Sequence, residues 1–142
     1  MYATQQDIVD RYGEETLLIV ADADLDDEID AGKVQRALQD ASDEIDSHIG
    51  KRYALPLEQT PRILVRLAVD IALYRLSPQD GHTEEKRKRY EDAVKVLKNI
   101  AAGDISLGLD ADTSEDASPT GLEVEVDSQD RLFSRGTMNR VL

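Results

Sequence analysis

From Ala31 to about Arg52, apolar residues fall at Val34, Ala37, Leu38, Ala41, Ile45 and Ile49, the three-and-four spacing that gives a helix one apolar stripe. Arg62 to Leu76 is different. Ile63, Leu64, Val65, Leu67, Ala68, Val69, Ile71, Ala72 and Leu73 cover more than one side, which predicts a central helix wrapped by the others. Between the two, Pro56 and Pro61 hold the chain extended, so the first helix ends near Tyr53 and Pro61 suits the opening turn of the second. Upstream, Thr4 caps a short helix with Ile8, Val9 and Tyr12 as its apolar side, ending at Gly13, and a second short one covers Glu14 to Val20. Downstream, Ser77 to Gly81 forms a turn. Thr83 then caps a helix from Glu84 to Ala102, with Tyr90, Ala93, Val94, Leu97, Ile100 and Ala101 inward and Gly103 as terminator. The expected fold is mainly α, a small helical bundle of about four helices.

The periodicity stops after Gly103. Asp104 to Asp130 holds nine acids and no Lys or Arg, too polar to fold alone, except that Leu122-Glu123-Val124-Glu125-Val126 alternates like one short β-strand. A lone strand has no partner within a helical chain, so another subunit is expected to supply one. The domain organisation read this way is a helical body over residues 1–105, an acidic linker over 106–121 and an extended C-terminal arm over 122–142.

Charge sharpens this picture. The net charge is −13, yet residues 131–142 carry Arg131, Arg135 and Arg140 with no acid, leaving +3 on the tail and −16 on the rest. A basic tail on an acidic body invites contact between copies. Arg131, Leu132, Phe133, Ser134, Arg135, Met138, Arg140, Val141 and Leu142 are therefore the candidate interface residues, with the apolar ones as anchors and the arginines opposing acid elsewhere. Sequence-reading contact with nucleic acid is disfavoured, because neutralisation of phosphates by Lys and Arg dominates such affinity. With no cysteine, no apolar run near 18 residues and no signal-peptide pattern after Met1, the expectation is a protein made and assembled in a cytoplasm, without disulfides or a membrane span. The core must be aliphatic, since the chain has no Trp, one Phe and five Tyr.

No catalytic constellation emerges. Asp22, Asp24, Asp26 and Ile29 sit where an EF-hand calcium loop has ligands and an aliphatic residue, but Asp27 replaces the glycine of the sharp turn and Lys33 the closing glutamate. A solvated acidic loop fits better. Lys86-Arg87-Lys88-Arg89 reads as an exposed face with Glu84–Lys88 and Glu85–Arg89 pairs rather than a phosphate site. Arg66 and Asp70, one turn apart in the most apolar helix, read as a partly buried ion pair, and His48 and His82 lack companions for metal or acid–base chemistry. Glycine-rich phosphate loops and nucleophile elbows are missing, so neither an enzyme nor a cofactor is expected.

Several stretches stand out in order: Met1-Tyr2-Ala3-Thr4, Arg11-Tyr12-Gly13, Asp27-Glu28-Ile29-Asp30 and Arg36-Ala37-Leu38-Gln39-Asp40-Ala41-Ser42-Asp43-Glu44-Ile45-Asp46. Then follow Arg52-Tyr53-Ala54-Leu55-Pro56-Leu57, Ile71-Ala72-Leu73-Tyr74-Arg75-Leu76, Ile100-Ala101-Ala102-Gly103 and Arg131-Leu132-Phe133-Ser134-Arg135. Together they resemble the small head-tail connector proteins of Mu-like phages. The resemblance implies a structural virion protein of the neck, a homo-oligomeric ring, commonly twelve-fold, attached below the portal protein. Such adaptors complete the head, extend the DNA channel and meet a tail-side neck or tail terminator protein, with DNA passing through unread. Two other classes remain compatible with the composition: an acidic protein that imitates DNA, and a calcium-responsive interaction module.

Overall fold

Thr4 opens the first helix with a reciprocal cap: its hydroxyl accepts from Asp7 N–H at 3.3 Å, and the Asp7 carboxylate accepts from Thr4 N–H at 2.7 Å. The computed structural model describes residues 1–22 and 24–109. The strand expected at 122–126, the whole arm and residues 110–121 of the acidic linker lie outside them.

Five α-helices follow one another: α1 (Gln5–Tyr12), α2 (Glu14–Ala21), α3 (Ala31–Ile49), α4 (Arg62–Leu76) and α5 (Glu84–Ala102), with one 3₁₀ turn at Gln79–Gly81. The expectation of about four is corrected to five among the described residues. Gly13, at φ 88°, ends α1 and begins α2, so the two short helices are distinct elements with separate axes. Two boundaries also differ. α3 stops at Ile49 rather than near Arg52, because the chain tightens there into a turn in which Arg52 and Tyr53 N–H both return to the Ile49 carbonyl. Pro61 stands just before α4, extended at ψ 143°, and accepts from Leu64 N–H instead of entering the first turn.

α4 is the centre. Leu64, Leu67, Ala68, Val69, Ile71, Ala72, Leu73 and Leu76 are buried around its circumference, packed mainly on α3 and α5, with α1 and α2 against it as well. α3 presents the expected stripe, Val34 to Ile49, and α5 presents Ala93, Leu97 and Ile100. On α5 the partly buried valine packed against this core is Val96; the expectation of Val94 there was one face off. The core is aliphatic apart from Tyr53, as the scarcity of aromatics required.

α3 and α5 progress in the same direction, since Glu44 meets Tyr90 and, further on, Arg52 lies beneath Gly103. Gly103 closes α5 in the left-handed conformation, and a Cβ there would come within 2.4 Å of the Arg52 guanidinium. Both the φ of 88° and that close approach favour glycine. Beyond it Leu107 is buried and its N–H donates to the Tyr53 hydroxyl at 3.2 Å, so the packing runs on to Leu109. The peptide Leu55–Pro56 in the elbow is cis.

Candidate protein interface

The polar side chains that cross between helices act as latches. Glu44 on α3 accepts from Arg75 of α4 at 2.6 Å and from Tyr90 of α5 at 2.8 Å, tying the three long helices at one point. Tyr90 stacks on Tyr74 with ring centroids 4.4 Å apart, and the His82 ring packs against Tyr74 as well, tilted, at 4.2 Å. His82 Nε2 lies 2.9 Å from the Ser77 carbonyl, which can only accept, so this nitrogen carries the proton.

A second latch corrects an expectation. Asp70 is bound from α1, by the Tyr12 hydroxyl and by Arg11 at 3.5 Å, whereas Arg66 is exposed and pairs with no carboxylate among the described residues. Arg66 and Asp70 share one face of α4 beside α1, but Tyr12 and Arg11 take up the Asp70 carboxylate while Arg66 stays exposed on the rim of the groove between the two helices. Arg89 of α5 reaches the same place, its guanidinium 5.1 Å from the Tyr12 ring centre. Arg89 also takes the expected pair with Glu85. Glu84, however, pairs with Arg87 at 2.7 Å rather than with Lys88, because i,i+3 brings Arg87 nearer and Glu91 holds it from the other side at 3.7 Å. A third latch joins Tyr2 to Asp46 through the phenol and to Ser42 through its N–H at 3.1 Å.

These contacts make a pH prediction. Burial first, then hydrogen bonds donated to Asp46, Asp70 and Glu44, push the Tyr2, Tyr12 and Tyr90 phenols above their ordinary 10.0. Tyr53 moves down, chiefly because its oxygen accepts the Leu107 N–H, with burial opposing. A raised folded value means stability complete below pH 10 and lost as pH climbs through it; Tyr53 works in the opposite sense but is one against three. Phenolate absorbance is expected to show one early tyrosine, then three delayed until the fold gives way in alkali. Tyr2, Tyr12, Tyr53 and Tyr90 ionising together in a protein that keeps its circular dichroism would contradict the latches.

Outside these latches the surface divides by charge. Residues 1–30 hold ten acids and one base, Arg11, for a net −9; residues 62–109 hold nine bases and seven acids, for +2. On α5, Lys86, Lys88, Lys95 and Lys98 have no ion-pair partner among the described residues.

The acidic loop between α2 and α3 organises itself. Asp22 accepts from Asp26 and Asp27 N–H at 3.2 and 3.1 Å, Asp26 accepts from Glu28 N–H at 3.0 Å, and Asp30 caps α3 by accepting from Lys33 N–H at 2.9 Å. Lys33, in the closing position of the calcium-loop pattern, donates its ammonium to the Val20 carbonyl at 3.0 Å. No group of three or more His, Cys, Asp or Glu side chains converges to hold a metal among the described residues. Leu25, at φ 56°, is held 89% exposed in this loop, and Ile19 on α2 is 73% exposed. Sequence reasoning missed both. The available signal was that Leu25 is the one apolar side chain other than alanine between Asp22 and Glu28.

Open grooves among the described residues include about 440 Å³ at the elbow between Tyr53, Leu57 and Leu109, about 360 Å³ beside Tyr74, His82 and Tyr90, about 490 Å³ between α1 and α4, about 310 Å³ along α5 beside Val94 and Lys95, and about 240 Å³ between Met1, Gln5 and Val34. None encloses a converging set of catalytic groups. The candidate interface residues Arg131, Leu132, Phe133, Ser134, Arg135, Met138, Arg140, Val141 and Leu142 lie outside the described residues. No helix among the described residues is long and apolar enough to cross a membrane.

The family model for Bacteriophage Mu, Gp36 matches residues 2–126, most of the chain. The chain belongs to the Mu Gp36 family. Two relatives agree over nearly their whole length. The Mu-like prophage FluMu protein gp36 of Haemophilus influenzae is 38% identical over 137 residues, 96% of this chain and 95% of the relative. Gene product J of Escherichia phage Mu is 32% identical over 136 residues, 94% of each. Gp36 family membership thus takes in the helical body, the acidic linker and the alternating segment, since the match reaches Val126.

Proposed function

We propose that this protein is a structural, non-enzymatic component of the phage neck, a head-tail connector forming a ring below the portal. The Gp36 relationship supports a role in the phage particle and its morphogenesis. The structural observation that carries the ring is the charge division of the body. A ring needs two different, complementary faces on each copy. The first thirty residues, net −9, and the α4–α5 side, with four lysines free of carboxylates among the described residues, meet that need. Latches at Glu44, Asp70 and Asp46 make each body a rigid wedge.

The ring, commonly twelve-fold in such connectors, completes the head after packaging in the host cytoplasm, extends the DNA channel and meets a tail-side neck or tail terminator protein. An acidic inner wall lets DNA pass by repulsion, without sequence-specific binding. The test is the mass of the purified protein, alone and mixed with portal, by light scattering coupled to size exclusion. A closed ring, or one that forms on portal, is the expected result; a monomer that ignores portal sinks the reading.

A further inference from the structure

Scattered exposed leucines are ordinary, but Ile19 and Leu25 stand six residues apart within the most acidic third of the chain, and the loop's own bonds display one of them. The base of that loop is closed by Asp30 N–H on the Ala21 carbonyl at 3.1 Å and by the Lys33 ammonium on Val20. Its far side holds Leu25 at φ 56°, in the left-handed backbone region that a leucine seldom occupies. Nothing within the described body covers either side chain.

We propose that Ile19 and Leu25 form an apolar knob, ringed by acid, that docks the C-terminal segment 131–142 of a second copy of this chain. This rests on the ring reading above. The occupant is chosen by chemistry. Residues 131–142 are the longest acid-free stretch in the sequence, and they pair three arginines with Leu132, Phe133, Met138, Val141 and Leu142. An apolar knob among carboxylates calls for that combination: apolar side chains at the centre and cations at the rim.

The second copy is chosen because a ring needs a contact between copies, and the placement suits it. The described chain ends at Leu109 beside Tyr53, past the C-terminal end of α3, whereas the knob lies beyond the N-terminal end of α3. A helix of 19 residues separates them by roughly 28 Å. Donor and acceptor at opposite ends of one body are what a head-to-tail contact requires. Residues 110–130 have contour enough for this, up to roughly 70 Å. Their eight acids and absence of base also keep them from competing for an acidic site.

Cross-linking the full-length protein tests it. Phe133 is replaced by a photoreactive benzoylphenylalanine, heavy- and light-isotope preparations are mixed before assembly on portal, and cross-linked peptides are sequenced. Heavy–light products joining position 133 to residues 14–30 are expected. Products joining only like isotopes would mean the tail folds onto its own body, and products elsewhere would mean another site; either overturns the knob while a ring seen by mass leaves the connector reading intact. A monomer with and without portal overturns both. Leu25→Gly supplies a readout that a merely structural residue cannot give: it relieves the left-handed backbone, so the thermal midpoint should hold or rise, while the concentration needed for assembly rises at least about tenfold. Assembly unchanged in Leu25→Gly combined with Ile19→Ser also overturns the proposal.

Discussion

Ile71→Ala is expected to lower the thermal midpoint by on the order of 10 °C. Ile71 is fully buried near the middle of α4, the helix with buried residues on more than one side, and the truncation removes methylenes and leaves a cavity that α3 and α5 cannot close. Such changes cost about 2–5 kcal/mol, and a folded unit of this size loses roughly 4 °C per kcal/mol. Arg66→Ala, on the exposed side of the same helix, should stay within about 0.5 kcal/mol. Calorimetry of the two variants beside the parent decides it. If Ile71→Ala shifts the midpoint no more than Arg66→Ala does, α4 is not the centre of the core.

Helix positions were legible because each is announced locally. Thr4, Asp30 and Thr83 are caps whose oxygens do accept the N–H three residues on, and Gly13 and Gly103 sit at the positive φ that ends a helix. The apolar residues of Arg62–Leu76 on more than one side likewise identified the central helix, since burial that wide confines the polar positions before the last turn to the narrow stripe Arg62, Arg66 and Asp70. What stayed hidden is pairing at long range. Asp70 could be assigned to Arg66 by spacing alone, but its partners, Tyr12 and Arg11, come from a helix nearly sixty residues earlier whose docking no local rule encodes. Tyr90 with Glu44 and Tyr2 with Asp46 are hidden for the same reason.

The surface shows the same limit. Net charge per segment is read directly from the chain, so the acidic first third and the basic tail were within reach of the sequence. Whether a leucine in an acidic run turns inward or outward depends on backbone geometry that the run itself does not fix. Here the Asp22 carboxylate gathers two amides and the turn it forms leaves Leu25 outside.

A chain stopped after Leu109 is expected to melt within about 2 °C of the full-length protein and yet to lose assembly entirely. The first half follows from packing. The described core closes between Ala3 and Leu107, with the Leu107 N–H on Tyr53 and then Leu109 packed against its edge. Removing a segment with eight acids and three bases deletes charge without opening that core. The second half follows from the interface reading, because the cut removes Leu132, Phe133, Met138, Val141, Leu142 and the three arginines together. Calorimetry and light scattering with portal read the two halves separately. A midpoint lowered by more than about 5 °C would place part of residues 110–142 in the body's own core. A truncated protein that still closes a ring would move the subunit contact wholly onto the charged faces of the helical body, where the acidic α1–α2 side and the lysines of α5 would have to carry it alone.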